Sequence, residues 1–196
     1  MWAWNRQIAP RSAIALAATL LTALAWAAGT DGTPGGDAQS AVWTQKQLHF
    51  LFQGFTAHYS CDGLEDKIRH VVKELGARGD FEVHAAGCSS PFGKPDPFPA
   101  VDIRMSVLAP APDKAAGADL VAAHWKRVDL HLDKDPVWEA GDCELLEQIK
   151  QKLLPLFATR NVEFTSNCIP HQVQLGTRLA AELLMPDPKD MQPSGR

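Results

Sequence analysis

Hydrophobic and polar residues alternate in four short stretches of the chain, and a period of two is typical of β-strands with one buried face. The apolar positions are Leu48, Phe50 and Phe52 in the first stretch, Phe81, Val83 and Ala85 in the second, Val101, Ile103, Met105 and Val107 in the third, and Val128, Leu130 and Leu132 in the fourth. Strands covered on both faces are continuously apolar instead. The alternation therefore predicts a sheet with one covered face and one polar face.

Two other stretches have the three- and four-residue spacing of amphipathic helices. Their apolar positions are Leu64, Ile68, Val71, Val72 and Leu75 in the first, and Leu145, Leu146, Ile149, Leu153 and Leu154 in the second. Ser60 and Asp142 are the predicted N-caps, and Gly76 is placed to end the first helix. Because a proline inside a helix costs about 3 kcal/mol, we expect a kink or an early end at Pro155.

The periodicity is weaker near the C-terminus of the chain. It predicts a strand at 162–165 and a further strand within 173–184. The segment LAAELL at 179–184 fits either a strand or a helix, and its pattern does not choose between them.

The segment from Cys61 to Cys88 has the same order of features as the segment from Cys143 to Cys168. Each runs through a cap, a cysteine, a helix, a turn, a strand and a second cysteine. Counted from the first cysteine, apolar residues recur at matching positions, and Arg78 and Arg160 both lie 17 residues on. The repeated order predicts a duplicated β-α-β-β unit.

Two helices over one sheet with a polar outer face define the predicted fold class. It is an α+β two-layer sandwich, with both helices on one face of a mixed sheet and two disulfides. The predicted segments are a signal peptide (1–27), a flexible spacer (28–41), the first repeat (42–109), a linker (110–118), the second repeat (119–185) and a disordered tail (186–196).

Four cysteines permit three pairings, and the geometry of the predicted repeat favours one of them. A helix that begins at one end of a sheet runs back and feeds a strand that returns to that end. A cysteine in the first helical turn therefore meets a cysteine that follows the returning strand. This predicts disulfides joining Cys61 to Cys88 and Cys143 to Cys168.

The N-terminal residues have the pattern of a cleavable export signal. Arg6 and Arg11 precede an uncharged apolar run at 13–25, and Ala25-Trp26-Ala27 matches a leader peptidase site. The run of about 13 residues is shorter than the roughly 20 that span a bilayer, so cleavage is favoured over a retained membrane anchor. We therefore expect a periplasmic or secreted protein without stable membrane insertion.

Composition and charge narrow the function classes. The chain of 196 residues is 45% hydrophobic and 21% charged, which is typical of a globular protein and excludes full-length disorder. Its net charge of −4 becomes −6 once the signal and its two arginines are removed. Nucleic acids and anionic membranes are poor candidate partners for an acidic chain. An envelope protein or a cell-wall component remains a candidate, and the oligomeric state is left open.

Catalytic signatures are absent from the sequence, which contains no GxSxG, HExxH, Walker, GxGxxG or CxxC motif. The sequence favours a non-catalytic function and predicts no cofactor. The local cluster Asp129-x-His131-x-Asp133 projects from one strand face. Because side chains on one strand point in parallel, a solvated face is favoured there over a metal site.

Five polar residues form the candidate ligand face. At strand spacing, His49, His84, Arg104, Asp129 and His131 all lie on the polar side of the predicted sheet. Such a face suits an acidic ligand, a metal ion or a partner's strand, and the alternative is a hydrated surface without a ligand. Trp43, Trp125 and Trp138 are core or binding aromatics, and the sequence does not separate these.

The junction between the first strand and the first helix, residues 54–63, has backbone amides placed to hold an anion, although a structural junction is favoured. The pattern VW-x4-L-x-F-x-F-x-GFT-x-x-YSCDGL, residues 42–64, resembles a group of uncharacterised proteins exported by Gram-negative bacteria. The resemblance covers most of the mature chain. It implies periplasmic export and brings no activity, cofactor or site residue.

The leading hypothesis is therefore a non-catalytic binding or interaction module of the bacterial envelope. The second is a metal-handling protein that uses His49, His84 and His131, since neutral imidazole binds Zn²⁺, Cu²⁺ or Ni²⁺. The third is a hydrolase of unknown class, for which the sequence offers no convincing nucleophile.

Overall fold

The structure, a computed structural model, describes residues 38–88, 94–112, 120–174 and 176–187. The elements in chain order are β1 (Gln39–Leu51), α1 (Cys61–Glu74), β2 (Glu82–Ala86), β3 (Ala100–Pro110), β4 (Leu120–His131), α2 (Cys143–Gln148), β5 (Thr159–Thr165) and β6 (Arg178–Pro186). The ambiguous segment at 179–184 is thus a strand. The predicted signal peptide lies outside the described residues, as do most of the spacer, the linker and the tail.

The six strands form one sheet in the order β2-β3-β1-β4-β6-β5, and every neighbouring pair is antiparallel. The prediction of a mixed sheet was therefore wrong. After α1 the chain does return in the direction of β1, as the sequence argument assumed. However, β3 lies between β1 and β2 and pairs with both, so the two parallel strands never become neighbours. In the same way β6 separates β4 from β5.

The centre of the sheet is a short pairing between β1 and β4, which covers residues 39–42 and 120–123. At its middle Ser40 lies opposite Ala122. From this pair the rest of β1 extends in one direction and the rest of β4 in the other. The first half of the chain (β1, α1, β2 and β3) therefore occupies one end of the sheet, and the second half (β4, α2, β5 and β6) occupies the other.

Both helices pack on the same face of the sheet. The buried residues of α1 and α2 belong to one core cluster with side chains from five of the strands. Along β3 these are the odd-numbered residues from Val101 to Val107, while Asp102 and Arg104 on the opposite face are exposed. The predicted arrangement of one helix-covered face and one polar face is confirmed. We refer to the second as the helix-free face.

The helix-free face also has a small apolar centre that the alternation pattern does not predict. Ala41, Leu108, Ala123 and Leu184 are buried there, and Trp43 and Trp125 pack against them. In β1 the buried position thus changes from the helix-free face at Ala41 to the helix-covered face at Phe50. This change hides the early part of the strand from a simple alternation pattern. The pattern therefore does not predict the start of β1, which lies at Gln39, inside the predicted spacer.

The first helix begins and ends as the sequence predicts. The Ser60 hydroxyl accepts a hydrogen bond from the Gly63 amide at 3.1 Å, as an N-cap does. Gly76 has φ +86° and follows the last helical turn, where its amide donates to Lys73 and the Ala77 amide donates to Val72. This pair of bonds is a Schellman motif, which requires a left-handed residue that glycine supplies without strain.

The second helix ends early, as Pro155 predicts. Regular α-helix covers only Cys143–Gln148, followed by a π-helical turn (Ile149–Leu153) and a 3-10 turn (Leu154–Leu156). Proline has no amide to donate and its ring blocks the carbonyl one turn back, so the regular ladder cannot continue through it. The irregular turns nevertheless keep Ile149, Leu153 and Leu154 buried in the core.

Both predicted disulfides are present. Cys61 joins Cys88 with a Cα–Cα distance of 6.2 Å, and Cys143 joins Cys168 at 5.5 Å. Each ties the first turn of a helix to the segment after the returning strand, as the geometric argument requires. Two disulfides are typical of a protein that folds in an oxidising, exported environment. No helix among the described residues is long and apolar enough to cross a bilayer.

Candidate functional site

Three of the five residues of the predicted ligand face come together on β1, β2 and β3. Asp102 on β3 lies opposite His49 on β1 and opposite His84 on β2, which places His49, Asp102 and His84 in a row across three strands. Two residues further along β3, Arg104 lies opposite Gln47 and Glu82 in a second row. Because side chains two residues apart share a strand face, the two rows are adjacent on the helix-free face.

These two rows line a depression of about 380 Å³. Its walls are the side chains of Gln47, His49, Glu82, His84, Asp102 and Arg104. Leu48 and Ile103 complete the lining, and since their side chains pack against the main core, the floor is backbone. β1, β2 and β3 pair here without a register shift, so the sheet itself holds the depression. We call it the first-half depression.

Two pairs of side chains set the charge pattern of this depression. Nδ1 of His49 lies 2.7 Å from Oδ1 of Asp102, and Nη1 of Arg104 lies 3.3 Å from Oε2 of Glu82. The His49 and Asp102 side chains are 60% and 66% exposed, so both are accessible to a ligand. A carboxylate that accepts from Nδ1 fixes the imidazole and leaves Nε2 for a second partner. The arrangement can therefore donate and accept hydrogen bonds.

Asp129 and His131 do not belong to this depression. They lie on β4, and His131 is nine residues beyond Ala122, while His49 is nine residues beyond Ser40 in the opposite direction. At about 3.3 Å per residue, this places the two histidines tens of ångströms apart. The predicted face is therefore divided into two separate groups, and His131 contacts Asp133 in its own group.

In the second half, ion pairs occupy the helix-free face. Nε of Arg178 lies 2.8 and 3.1 Å from the two oxygens of Asp129, and Nη2 of Arg127 lies 2.6 Å from Oε2 of Glu163. Arg160 pairs with Glu182 beside them. Hydrogen bonding to Arg178 lowers the pKa of Asp129, and the Arg127 bond lowers the pKa of Glu163. These carboxylates have arginine partners already.

The three histidines of the metal hypothesis are not brought together, because His131 lies apart from His49 and His84. Within the described part of the chain, no group of three or more His, Cys, Asp or Glu side chains is placed to hold a metal ion.

A buried polar cluster joins the two halves on the helix-covered side. The Asp142 carboxylate is fully buried and accepts bonds from the Tyr59 hydroxyl, from Nζ of Lys67 at 2.7 Å and from the Glu139 amide at 2.8 Å. Burial, followed by the charge of Asp142, raises the pKa of Tyr59 and keeps its hydroxyl protonated as a donor. Asp142 occupies the predicted N-cap position, yet its side chain makes no cap bond.

At the strand–helix junction, where anion binding was the less favoured alternative, the backbone amides bind a carboxylate of the protein itself. Oε2 of Glu144 accepts hydrogen bonds of 2.8 Å from the amides of both Phe55 and Thr56. A Cβ at Gly54 would lie 2.4 Å from the Phe52 ring and 2.8 Å from this carboxylate, so only glycine fits. The favoured interpretation, a structural junction, agrees with these contacts.

Two tryptophans on the helix-free face have an arginine over the ring. The guanidinium of Arg78 lies 5.5 Å from the centre of Trp43, and that of Arg160 lies 4.6 Å from the centre of Trp125. Both rings pack against the small apolar centre, whereas Trp138 is buried in the main core. Cation–π contacts of this kind stabilise by about 0.5–1 kcal/mol at exposed sites.

Helix side chains cover the outer edge of β2. Nη2 of Arg69 donates to the Val83 carbonyl at 3.0 Å, and the Ala85 amide donates to Oε2 of Glu65 at 2.7 Å. Arg69 and Glu65 also pair with each other. Unpaired edges attract other strands, so these bonds block strand addition beside the depression. At the opposite edge, β5 is interrupted by a register shift between Arg160 and Glu163.

Asp102 and Glu82 are not among the predicted site residues, although both lie at alternating polar positions on the strands that carry His84 and Arg104. Their position opposite these residues depends on the strand order, which the alternation does not reveal. The contacts of Asp142 with Tyr59 and Lys67 have no local signal in the sequence, because these partners are 83 and 75 residues away.

Comparison of the chain with protein-family models, with curated proteins and with solved structures finds no match.

Proposed function

We propose that this protein is an exported, non-catalytic binding module of the bacterial cell envelope, and that it binds through the first-half depression. The observation that carries the proposal is the set of six polar side chains that three regular strands hold around an open volume of about 380 Å³. Ligand pockets commonly have volumes of about 300–1,000 Å³ and a few fixed polar groups.

Export is supported by two independent features. The N-terminal residues have a charged region, an apolar run and the Ala25-Trp26-Ala27 cleavage pattern. The two disulfides suit an oxidising compartment such as the periplasm. The resemblance of residues 42–64 to exported Gram-negative proteins favours the same location.

Binding through the face of the sheet is favoured over strand addition. Arg69 bonds the Val83 carbonyl and Glu65 bonds the Ala85 amide on the outer edge of β2, next to the depression. A partner strand would have to displace both side chains and their ion pair. The depression beside them is open, so a ligand reaches it without any displacement.

We also propose that the two halves arose by duplication of a β-α-β-β unit. The strand segment AVWTQKQLH (41–49) aligns without a gap to AHWKRVDLH (123–131), with Ala, Trp, Leu and His in common. Both segments lie at the same distance before the first cysteine of their half. On the neighbouring strands, Leu108 and Pro110 lie opposite Trp43 and Ala41. Their counterparts Leu184 and Pro186 lie opposite Trp125 and Ala123.

The sheet pairing fits the same duplication. Ser40 and Ala122, which lie opposite each other at the centre, are equivalent positions in the alignment. Such self-pairing of equivalent residues is the geometry of a two-fold interface. The Trp43–Arg78 and Trp125–Arg160 contacts are equivalent as well, and they lie on opposite sides of this centre.

The proposed function is tested with the mature, disulfide-bonded protein as bait. We expect it to co-sediment with purified peptidoglycan or to recover an envelope protein from a periplasmic extract. Replacing Arg104→Gln together with His84→Ala should abolish recovery, while Arg127→Gln in the second half should leave it unchanged. Failure to recover any component, together with turnover on a panel of hydrolase substrates, would overturn the proposal. The exported protein should begin at Ala28, which N-terminal sequencing checks.

A further inference from the structure

The ionisable groups of the first-half depression alternate in sign in both directions. Across the strands, Asp102 lies between His49 and His84, and Arg104 lies beside Glu82. Along the strands, Asp102 is two residues from Arg104, and Glu82 is two residues from His84. Neighbouring strands are about 4.8 Å apart and alternate residues about 6.6 Å apart. Each carboxylate is therefore surrounded by bases, and each base by carboxylates or by Gln47.

A charge pattern of this kind disfavours ligands of a single sign. An anion that approaches Arg104 comes within reach of Asp102 and Glu82, and a cation that approaches either carboxylate meets Arg104. A ligand with one positive and one negative end satisfies both signs at once. We propose that the depression binds a small zwitterion, a short peptide with a free ammonium group and a free carboxylate. This inference rests on the proposed binding function.

The spacing of the groups favours a dipeptide over a single amino acid. In the proposed pose the ligand carboxylate binds Arg104, whose guanidinium has five donors and a single 3.3 Å bond to Glu82. The ligand ammonium binds the Asp102 carboxylate. Nδ1 of His49 contacts Oδ1 of this carboxylate, and Oδ2 is the oxygen that the ammonium would bind. The two groups lie two residues apart on β3, about 6.6 Å along the strand. An extended dipeptide spans about 7 Å, whereas the charges of one amino acid are closer together.

The floor of the depression restricts the ligand side chains. Ile103 is 2% exposed and packs in the main core, so between Asp102 and Arg104 the floor is backbone. No apolar side chain of the lining faces the open volume, because Leu48 packs against the same core. A large apolar ligand side chain would gain little from burial there. The site therefore fits small side chains, and alanyl-alanine is the appropriate probe.

The test is a calorimetric titration of the mature protein with alanyl-alanine. We expect saturable binding that weakens about tenfold or more when the peptide is N-acetylated or C-amidated, since each change removes one charge-assisted contact. Arg104→Gln and Asp102→Asn should each weaken binding to a similar degree. Arg127→Gln, a matched change on the helix-free face of the second half, should leave it unchanged. Circular dichroism of each variant confirms that the fold is retained.

Three outcomes would overturn the inference: no binding at about 10 mM peptide, equal binding of the blocked peptides, or equal binding by Arg104→Gln and Asp102→Asn. Any of these leaves the proposed function standing if the mature protein still recovers an envelope component through Arg104 and His84. If that recovery fails as well, the proposed function fails with it.

Discussion

The two halves of the sheet present different surfaces on the helix-free face. In the first half, His49, Asp102 and His84 surround an open depression. In the second half, three hydrogen bonds join Arg178 to Asp129 on the corresponding part of the face. Both halves contain a strand, a helix and two further strands in the same order, with one disulfide each, although regular α-helix covers 14 residues in the first half and six in the second. Under the proposed function, binding takes place in the first half, and the ion-paired face of the second half has a structural role.

The same division appears at the starts of the two helices. Ser60 caps α1 through its hydroxyl, as a residue at this position usually does. Asp142, the corresponding residue of α2, instead accepts bonds from Tyr59 and Lys67 of the first half. One position therefore closes a helix in the first half and links the halves together in the second.

Replacing Asp142 should have the largest effect on stability. Asp142→Ala leaves Lys67 with the Val137 carbonyl and a 3.7 Å ion pair to the exposed Glu139 carboxylate, and it removes the acceptor of Tyr59. Breaking a buried pair costs about 3–5 kcal/mol. Ser60→Ala removes one cap bond and should cost about 1 kcal/mol. The free energy of unfolding in urea measures both. Equal losses for the two variants would contradict the different roles assigned to this position.

Removing each disulfide in turn tests whether the two crosslinks contribute equally to the free energy of unfolding. Their sequence separations are 27 and 25, so the chain-entropy model gives about 3.5 kcal/mol for each. Replacing Cys61 and Cys88 together should therefore cost nearly as much as replacing Cys143 and Cys168 together. Denaturant unfolding of the two double variants measures the losses.

Replacing Cys61 alone should be more harmful than replacing both cysteines of its pair, because the remaining thiol is free to mispair. Peptide mapping without reductant should recover the Cys61–Cys88 and Cys143–Cys168 peptides from the wild-type protein. A Cys61–Cys143 peptide would contradict the architecture.

The two helix ends should respond differently to alanine. Gly76→Ala places a side chain at φ +86° and 3.2 Å from Met185, which should cost about 1–2 kcal/mol. Pro155 is exposed and lies where regular helix has already ended, so Pro155→Ala should change stability by less than about 1 kcal/mol. Thermal unfolding of both variants makes the comparison. A greater loss for Pro155→Ala would mean that the π-helical turn depends on the proline.

The sequence predicted the elements with strong local signals. The caps and ends of α1 follow from Ser60 and Gly76, the early end of α2 follows from Pro155, and the disulfides follow from the repeated order of features. Strand order was not predicted, because alternation gives the faces of a strand but not its neighbours. For this reason His49, His84 and Arg104 were grouped with Asp129 and His131, which lie on the other half.

Acid should weaken the second-half ion pairs selectively, although the effect is small. The Arg178 bond lowers the folded-state pKa of Asp129 below its ordinary 3.8, so its stabilisation is present above that pH and is lost as the pH falls through the folded value. Asp129→Asn lacks this contribution. The difference from wild type should be below about 1 kcal/mol at pH 7, since the pair is partly exposed. It should shrink further below about pH 4.

Urea unfolding of wild type and Asp129→Asn at a series of pH values measures this difference. An increase in the difference on acidification would show that Arg178 does not stabilise the charged form of Asp129.

The central claim, that the helix-free face of the first half is the binding surface, is tested most directly by nuclear magnetic resonance. Backbone amide shifts of the labelled mature protein are followed during titration with soluble peptidoglycan fragments and with alanyl-alanine. We expect concentration-dependent shifts at residues 47–49, 82–84 and 102–104, with residues 127–131 and 178–182 unchanged. Shifts confined to the second half or to the helices would contradict it.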